Sequence, residues 1–260
     1  MTDVDDETKF KKLRRFNLIM GFFHFIQAAI MLAIANYDVQ MKFTTSFLDA
    51  TNGYPPTIPG GAVEFFSVPL GPMVAIFLLM SAIAHFSVPT FGYKWYVENL
   101  KMNMNKGRWF EYALSSSVMI VLIATLFGIH DIATLILIFL VNASMNLFGL
   151  DMEQLNSGAK KAAVNWGPFI WGSIAGVAPW IAILLYMTGT GNYDMVPWFV
   201  WAIVGTYFVA FNTFPINMVL QYKRIGRWND YLYGERVYII LSLVAKSILA
   251  WLVLFGAMQP

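Results

Sequence analysis

Lys246 lies in an apolar run, Val237 to Gly256, that holds no other charged residue. An ammonium near the centre of a bilayer costs roughly 2.5–3.5 kcal/mol on insertion scales, so a lysine there is read as functional. The bland alternative is a side chain that snorkels to the interface. Lys246 lies about ten residues beyond Arg236. That is ~15 Å along a helix, near the middle of a hydrocarbon core ~30 Å thick, and snorkelling from there is difficult. Lysine also has an option that arginine lacks. As a free amine it condenses with an aldehyde to a Schiff base whose nitrogen still titrates.

A cation in a bilayer core needs a counter-ion. Glu111 is the one acid inside or at the edge of a span and clear of the loops; Asp131, Asp151 and Asp194 read as turn residues. Glu111 also lies three residues from Arg108, a spacing that fits an interfacial ion pair equally well. If the membrane edge is at Arg108, Glu111 is only ~4.5 Å deep, too shallow to meet Lys246. The lysine stem leans towards its helix amino terminus and closes part of that gap. The rest requires the third helix to begin near Lys101–Lys106, placing Arg108 within the protein.

Other polar residues share the same half of the membrane. His24 is eight residues into the first span, and His85 is close to the corresponding end of the second. Ser81 is one turn from His85, Ser115 one turn from Glu111, and Ser242 one turn before Lys246. Singly, each reads as a satisfied core polar group. Two imidazoles beside one acid suggest a site that can take up a proton near neutral pH. Beyond Lys246 and Ser117 the third and seventh spans carry no ionisable side chain, which argues against a pump. Asn142, Met145, Asn146, Phe148, Trp180, Tyr207, Phe211, Phe214 and Trp251 are individually packing or lipid-facing residues. Collectively they suggest a long apolar slot.

The elements that must position these groups are membrane helices. The 260 residues are 58% hydrophobic and only 12% charged, half the usual share of a soluble domain. Seven segments are long enough to cross a bilayer: 16–35, 69–89, 109–129, 132–150, 166–188, 196–220 and 237–256. The third and fourth nearly touch, predicting a tight turn at His130-Asp131. Pro72, Pro179 and Pro215 fall within spans, where neighbouring helices satisfy the freed backbone groups. Ala33-Ile34-Ala35 resembles a signal cleavage site. The apolar stretch before it is long and the leading segment as acidic as it is basic, so a retained helix is expected.

Charge sets the orientation. Of the 17 Lys and Arg, all but Lys42 and Lys246 fall in the leading segment or in the two–three, four–five and six–seven loops. The positive-inside rule then places the amino terminus in the cytoplasm and the carboxyl terminus outside. The expected organisation is one seven-helix domain over residues 1–260, with a cytoplasmic tail at 1–15 and an extracellular loop at 36–68. That loop contains Asn52-Gly53, Pro55-Pro56 and Gly60-Gly61 beside the strand-like run Met41–Phe47, which suggests a β-hairpin over the outer face. Gly172 and Gly176 form a small-xxx-small pair, for close packing within the bundle or for a dimer face. The absence of cysteine excludes disulfides, thiolate metal sites and cysteine nucleophiles. No nucleophile triad, metal cluster or nucleotide loop points to an enzyme, and nothing points to nucleic acid. The basic face is a topology signal and contact for anionic lipid.

Seven spans with a seventh-helix lysine and a third-helix carboxylate resemble a microbial rhodopsin, with the orientation reversed. Several longer stretches resemble heliorhodopsins in particular: Arg108-Trp109-Phe110-Glu111-Tyr112 into Ser115-Ser116-Ser117-Val118-Met119-Ile120, and Val141-Asn142-Ala143-Ser144-Met145. The most specific is Gly234-Glu235-Arg236-Val237-Tyr238 running through Leu241-Ser242-Leu243-Val244-Ala245-Lys246-Ser247. The likeness spans essentially the whole chain. It implies all-trans retinal on Lys246 as a protonated Schiff base, with Glu111 as counter-ion. It places Tyr112, Ser115, Asn142, Met145, Trp180, Phe211, Ser242 and Trp251 near the polyene, and His24, Ser81 and His85 in a cytoplasmic-side proton network. It further implies a homodimer and a non-pumping light sensor. The expected function is that of an integral, multi-pass cell-membrane photosensor or light-regulated signalling protein acting on an unknown cytoplasmic partner through the basic loops. The competing function is a light-driven or light-gated ion transporter.

Overall fold

The structure, a computed structural model, describes residues 3–47, 53, 61–158, 163–189, 191 and 193–257. Eight α-helices and two strands follow in the order α1 (Asp3–Ile34), β1 (Gln40–Thr45), β2 (Val63–Pro69), α2 (Leu70–Ser87), α3 (Tyr93–Lys101), α4 (Lys106–Leu126), α5 (Ile132–Leu155), α6 (Gly167–Gly189), α7 (Trp198–Tyr222) and α8 (Tyr231–Ala257). All except α3 are long and apolar enough to cross a membrane, giving the expected seven spans. The fold is a seven-helix bundle with a small hairpin at one end.

Helix boundaries follow local chemistry. Asp131 caps α5 by accepting from the Thr134 amide at 2.8 Å, and Gly128, at φ 90°, supplies the left-handed residue of the expected tight α4–α5 turn. Pro72 falls in the first turn of α2, where no intrahelical donor is lost. Pro179 and Pro215 are inside α6 and α7. From Asp3 onward the segment read as a tail is the continuous first part of α1.

The hairpin pairs Gln40 with Pro69 through Thr45 with Val63, antiparallel, with an irregularity between Phe43 and Thr44. Met41 and Phe43 face the bundle while Gln40 and Lys42 face away, the period of two that a half-buried strand requires. The amide of Thr44 donates to the His130 carbonyl at 2.8 Å, which clasps the hairpin to the α4–α5 turn. Asn52, Pro55, Pro56, Gly60, Lys160 and Lys161 lie outside the described residues.

Two apolar regions flank the polar centre. Towards the hairpin, Val74, Phe77, Leu78, Ile120, Ile123, Ala250 and Val253 form a fully packed core. Towards the basic end, α3 lays Tyr96 and Leu100 against Phe10, Leu13 and Ile239. This short helix went unrecognised in the sequence, being too short and too polar to register as a span.

Close approaches depend on glycine. A Cβ on Gly172 would meet Phe148 at 3.1 Å, and one on Gly176 would meet the Met145 sulfur at 2.7 Å. The small-xxx-small pair therefore serves packing of α6 on α5. Gly149 is tighter still: a Cβ there would lie 2.3 Å from the Trp109 ring. Gly149→Ala is expected to lower stability by about 1–3 kcal/mol through overpacking, measured as a lower thermal midpoint.

Candidate functional site

Lys246 and Glu111 meet. Lys246 Nζ lies 2.6 Å from Glu111 Oε1 and 3.0 Å from Ser242 Oγ, and it sits 5.3 Å from the centre of the Tyr112 ring. Ser81 Oγ donates to the same Glu111 oxygen at 2.6 Å. Ser115, fully buried, lies beside this carboxylate. Lys246 is 3% exposed, so the pair is shielded from solvent on the described surface.

The helix ends explain how groups of such different apparent depth come together. The first turn of α4 is not at an interface. Its cap, Asn105, is 5% exposed and accepts from the Arg108 amide at 3.1 Å, and α3 covers this end of the bundle. Glu111 therefore starts deep.

Arg108 does not pair with Glu111. Its guanidinium forks to Glu153 of α5 and Glu235 of α8, all three side chains being at most 4% exposed. It also lies 4.0 Å from the centre of the Tyr238 ring and 5.0 Å from that of Trp109. Glu153 accepts from the Asn105 amide (2.8 Å), the Trp109 indole (2.7 Å) and the Tyr231 hydroxyl (3.1 Å). Glu235 accepts from Asn105 Nδ2 at 2.7 Å and from Tyr96 at 3.3 Å. The expectation that Glu111 is the one acid within a span is thus corrected. Helices α5 and α8 extend further than their apolar runs and bury Glu153 and Glu235.

From Lys246 an apolar cavity of about 480 Å³ runs between α4, α5, α6, α7 and α8. Of the residues expected around a chromophore, Tyr112, Met145, Trp180, Phe211, Ser242 and Lys246 line it. Asn142 stands behind the wall, donating to Ser116 at 2.8 Å and Ser117 at 3.0 Å. Trp251 is elsewhere: its indole donates to Gln27 of α1 at 3.0 Å and its ring stacks on Phe255. Ser116, Met119, Phe208 and Pro215 also line the cavity, none of them expected beside a chromophore. Trp180 lines it within an aromatic cluster, with ring centres of Tyr207, Phe208 and Phe211 at 5.3–5.8 Å. Val177, Ile181 and Phe208 line the cavity and are also exposed on the bundle surface, so it reaches the lipid-facing side between α6 and α7.

His24 and His85 lie together on the basic side of the pair, rings stacked at 5.4 Å and 11°. His85 Nδ1 is 2.8 Å from Asn17 Oδ1. Among the described residues no group of three or more His, Asp or Glu is placed to hold a metal ion.

The sequence matches the family model for heliorhodopsins over residues 13–258. The chain belongs to the heliorhodopsin family. No curated protein matches it. Membership implies a retinal chromophore in a multi-pass membrane protein, and the cavity fits that group. Its lining is mostly apolar, its volume lies within the ~300–1,000 Å³ usual for small-molecule pockets, and a buried lysine is part of its wall. In this heliorhodopsin Lys246 would hold the aldehyde carbon, Glu111 and Ser242 the nitrogen, and Trp180, Phe211 and Met145 the polyene.

Proposed function

We propose that this heliorhodopsin is a non-pumping light sensor, with all-trans retinal on Lys246 and Glu111 as counter-ion. The observation that carries the reading is the 2.6 Å contact between Lys246 Nζ and Glu111 Oε1 at the lysine that lines the apolar cavity. Retinal supplies visible absorption and a light-driven isomerisation that re-aims the nitrogen. The chain's own residues do the rest. Glu111, held by Ser81, keeps a positive charge on Lys246 Nζ in the dark. When the N–H turns away from Glu111, the proton on Nζ loses that partner. Acceptors are at hand on the basic side in His24 and His85. Towards the hairpin the buried polar side chains among the described residues are Ser117, Thr125 and Asn142, none acidic or basic. A proton can shift locally, but these buried groups offer no relay across the bundle.

The basic end faces the cytoplasm in this reading, as the Lys and Arg distribution requires. The changed charge at the histidines would alter that face for a cytoplasmic partner. A homodimer, as the family resemblance implies, would use lipid-facing residues rather than Gly172 and Gly176, which α5 already covers.

The test is an absorption spectrum of protein expressed with all-trans retinal, beside Lys246→Ala. A visible band in the first and none in the second is expected; no band in either sinks the chromophore assignment. Voltage-clamp recording under illumination separates sensor from transporter, and a sustained photocurrent would favour the transporter.

A further inference from the structure

The hydrogen-bond geometry around Asn17 specifies the state of His85. Asn17 is 3% exposed on α1, seven residues before His24. One end of its amide lies 3.0 Å from the Leu13 carbonyl and 3.4 Å from the Tyr96 hydroxyl. The other end lies 2.8 Å from His85 Nδ1. A backbone carbonyl only accepts, so the end facing Leu13 has to be the NH₂ group. The end facing His85 is then the amide oxygen, which also only accepts. His85 must therefore be the donor, through Nδ1–H.

We infer that Asn17 is a positioning residue: it fixes neutral His85 as the Nδ1–H tautomer, leaving Nε2 as the nitrogen that can take up a proton. The tautomer follows from the hydrogen bonds alone; proton uptake from Lys246 Nζ rests on the light-sensing reading above. In that transfer the N–H bond at Lys246 Nζ breaks, its electron pair stays on that nitrogen, and a new N–H bond forms at His85 Nε2. The positive charge moves with the proton. The charged or titratable groups facing His85 are His24 from α1, Glu111 from α4 and Lys246 from α8. Like charges 5.4 Å apart repel, so the stacked histidines accept one proton between them.

Asn17 also gives that event a direction. Once His85 is charged, its Nδ1–H bond to Asn17 becomes charge-assisted and stronger. The amide group of Asn17 donates to Tyr96, and Tyr96 donates to Glu235 of the buried ion cluster. Tyr96 is on α3, the one described α-helix that does not span. Burial, and next the neighbouring Glu235 carboxylate, push its phenol well above the usual tyrosine range. It stays neutral and passes on a change in hydrogen bonding rather than a charge.

The experiment is solid-state NMR on full-length protein with ¹⁵N-labelled histidine, in lipid and in the dark, with and without retinal. Three histidines keep the spectrum assignable, using His85→Gln. The expected result is a protonated Nδ1 and a bare Nε2 on His85, and loss of that preference in Asn17→Leu. An Nε2–H tautomer in the unmodified protein, or an unchanged tautomer in Asn17→Leu, overturns the inference. The visible band of Asn17→Leu reports that the fold is intact, and its light-triggered proton uptake should slow several-fold. If the unmodified protein forms no visible pigment, the light-sensing reading fails while the tautomer assignment is still decided by the dark spectrum.

Discussion

Glu111→Gln should turn the retinal-loaded protein from a visible to a near-ultraviolet pigment at neutral pH. The carboxylate is in direct contact with Lys246 Nζ and the pair is almost fully enclosed. Two unit charges ~4 Å apart attract by about 4 kcal/mol at an effective dielectric constant of ~20. Removing an attraction of that order shifts the balance between the charged and neutral nitrogen by roughly a thousandfold. The sign is fixed by which form carries the charge: an amide in place of the carboxylate penalises only the protonated nitrogen. If the proposed pigment is charged at neutral pH in the parent, the charged form in the variant should persist only in acid. Titrating the visible band in parent and variant checks this directly. A variant with an unchanged titration would remove Glu111 from the role. The other buried acids are poor substitutes, since Glu153 and Glu235 are both committed to Arg108.

Much of this arrangement could be read before the fold was known. Length and apolarity delimit the spans, and the isolation of Lys246 in its run marks the site. The helices, however, are longer than the apolar runs that mark them. Glu235 adjoins Arg236 outside the drawn seventh span, yet Glu235, Tyr238, Ser242 and Lys246 recur at helical spacing along one face. Asn142, Asn146 and Glu153 do the same on the fourth span. Extending those stripes past the apolar boundary would have brought both acids to the Arg108 side. The role of Asn17 was not legible, because it depends on the backbone carbonyl of Leu13 and on a helix, α3, that packs across the bundle end. Trp251 shows the opposite failure. It lies near Lys246 in sequence but on another face of α8, where it meets Gln27.

Arg108→Met should be the most destabilising single change, by about 3–5 kcal/mol, the usual result of breaking a buried pair from one side. The substitution leaves two carboxylates, each 1% exposed, without the cation that both contact. Methionine fills much of the space, so the loss reports charge rather than volume. Arg108→Lys should fall between the two, since one ammonium cannot reproduce a planar fork that bonds to acids on two different helices. The comparison that isolates the cause is Arg108→Met combined with Glu153→Gln and Glu235→Gln. Removing all three charges removes the uncompensated burial, so stability should largely return, although the fork itself is gone. Thermal loss of the visible band, followed for the four proteins in the same lipid, gives the ranking. If the triple variant were no more stable than Arg108→Met, the cluster would hold α4, α5 and α8 together by geometry rather than by charge balance. The hydrogen-bond path from Tyr96 would then end in a rigid anchor, instead of a set of ion pairs whose balance a new charge at His85 can shift.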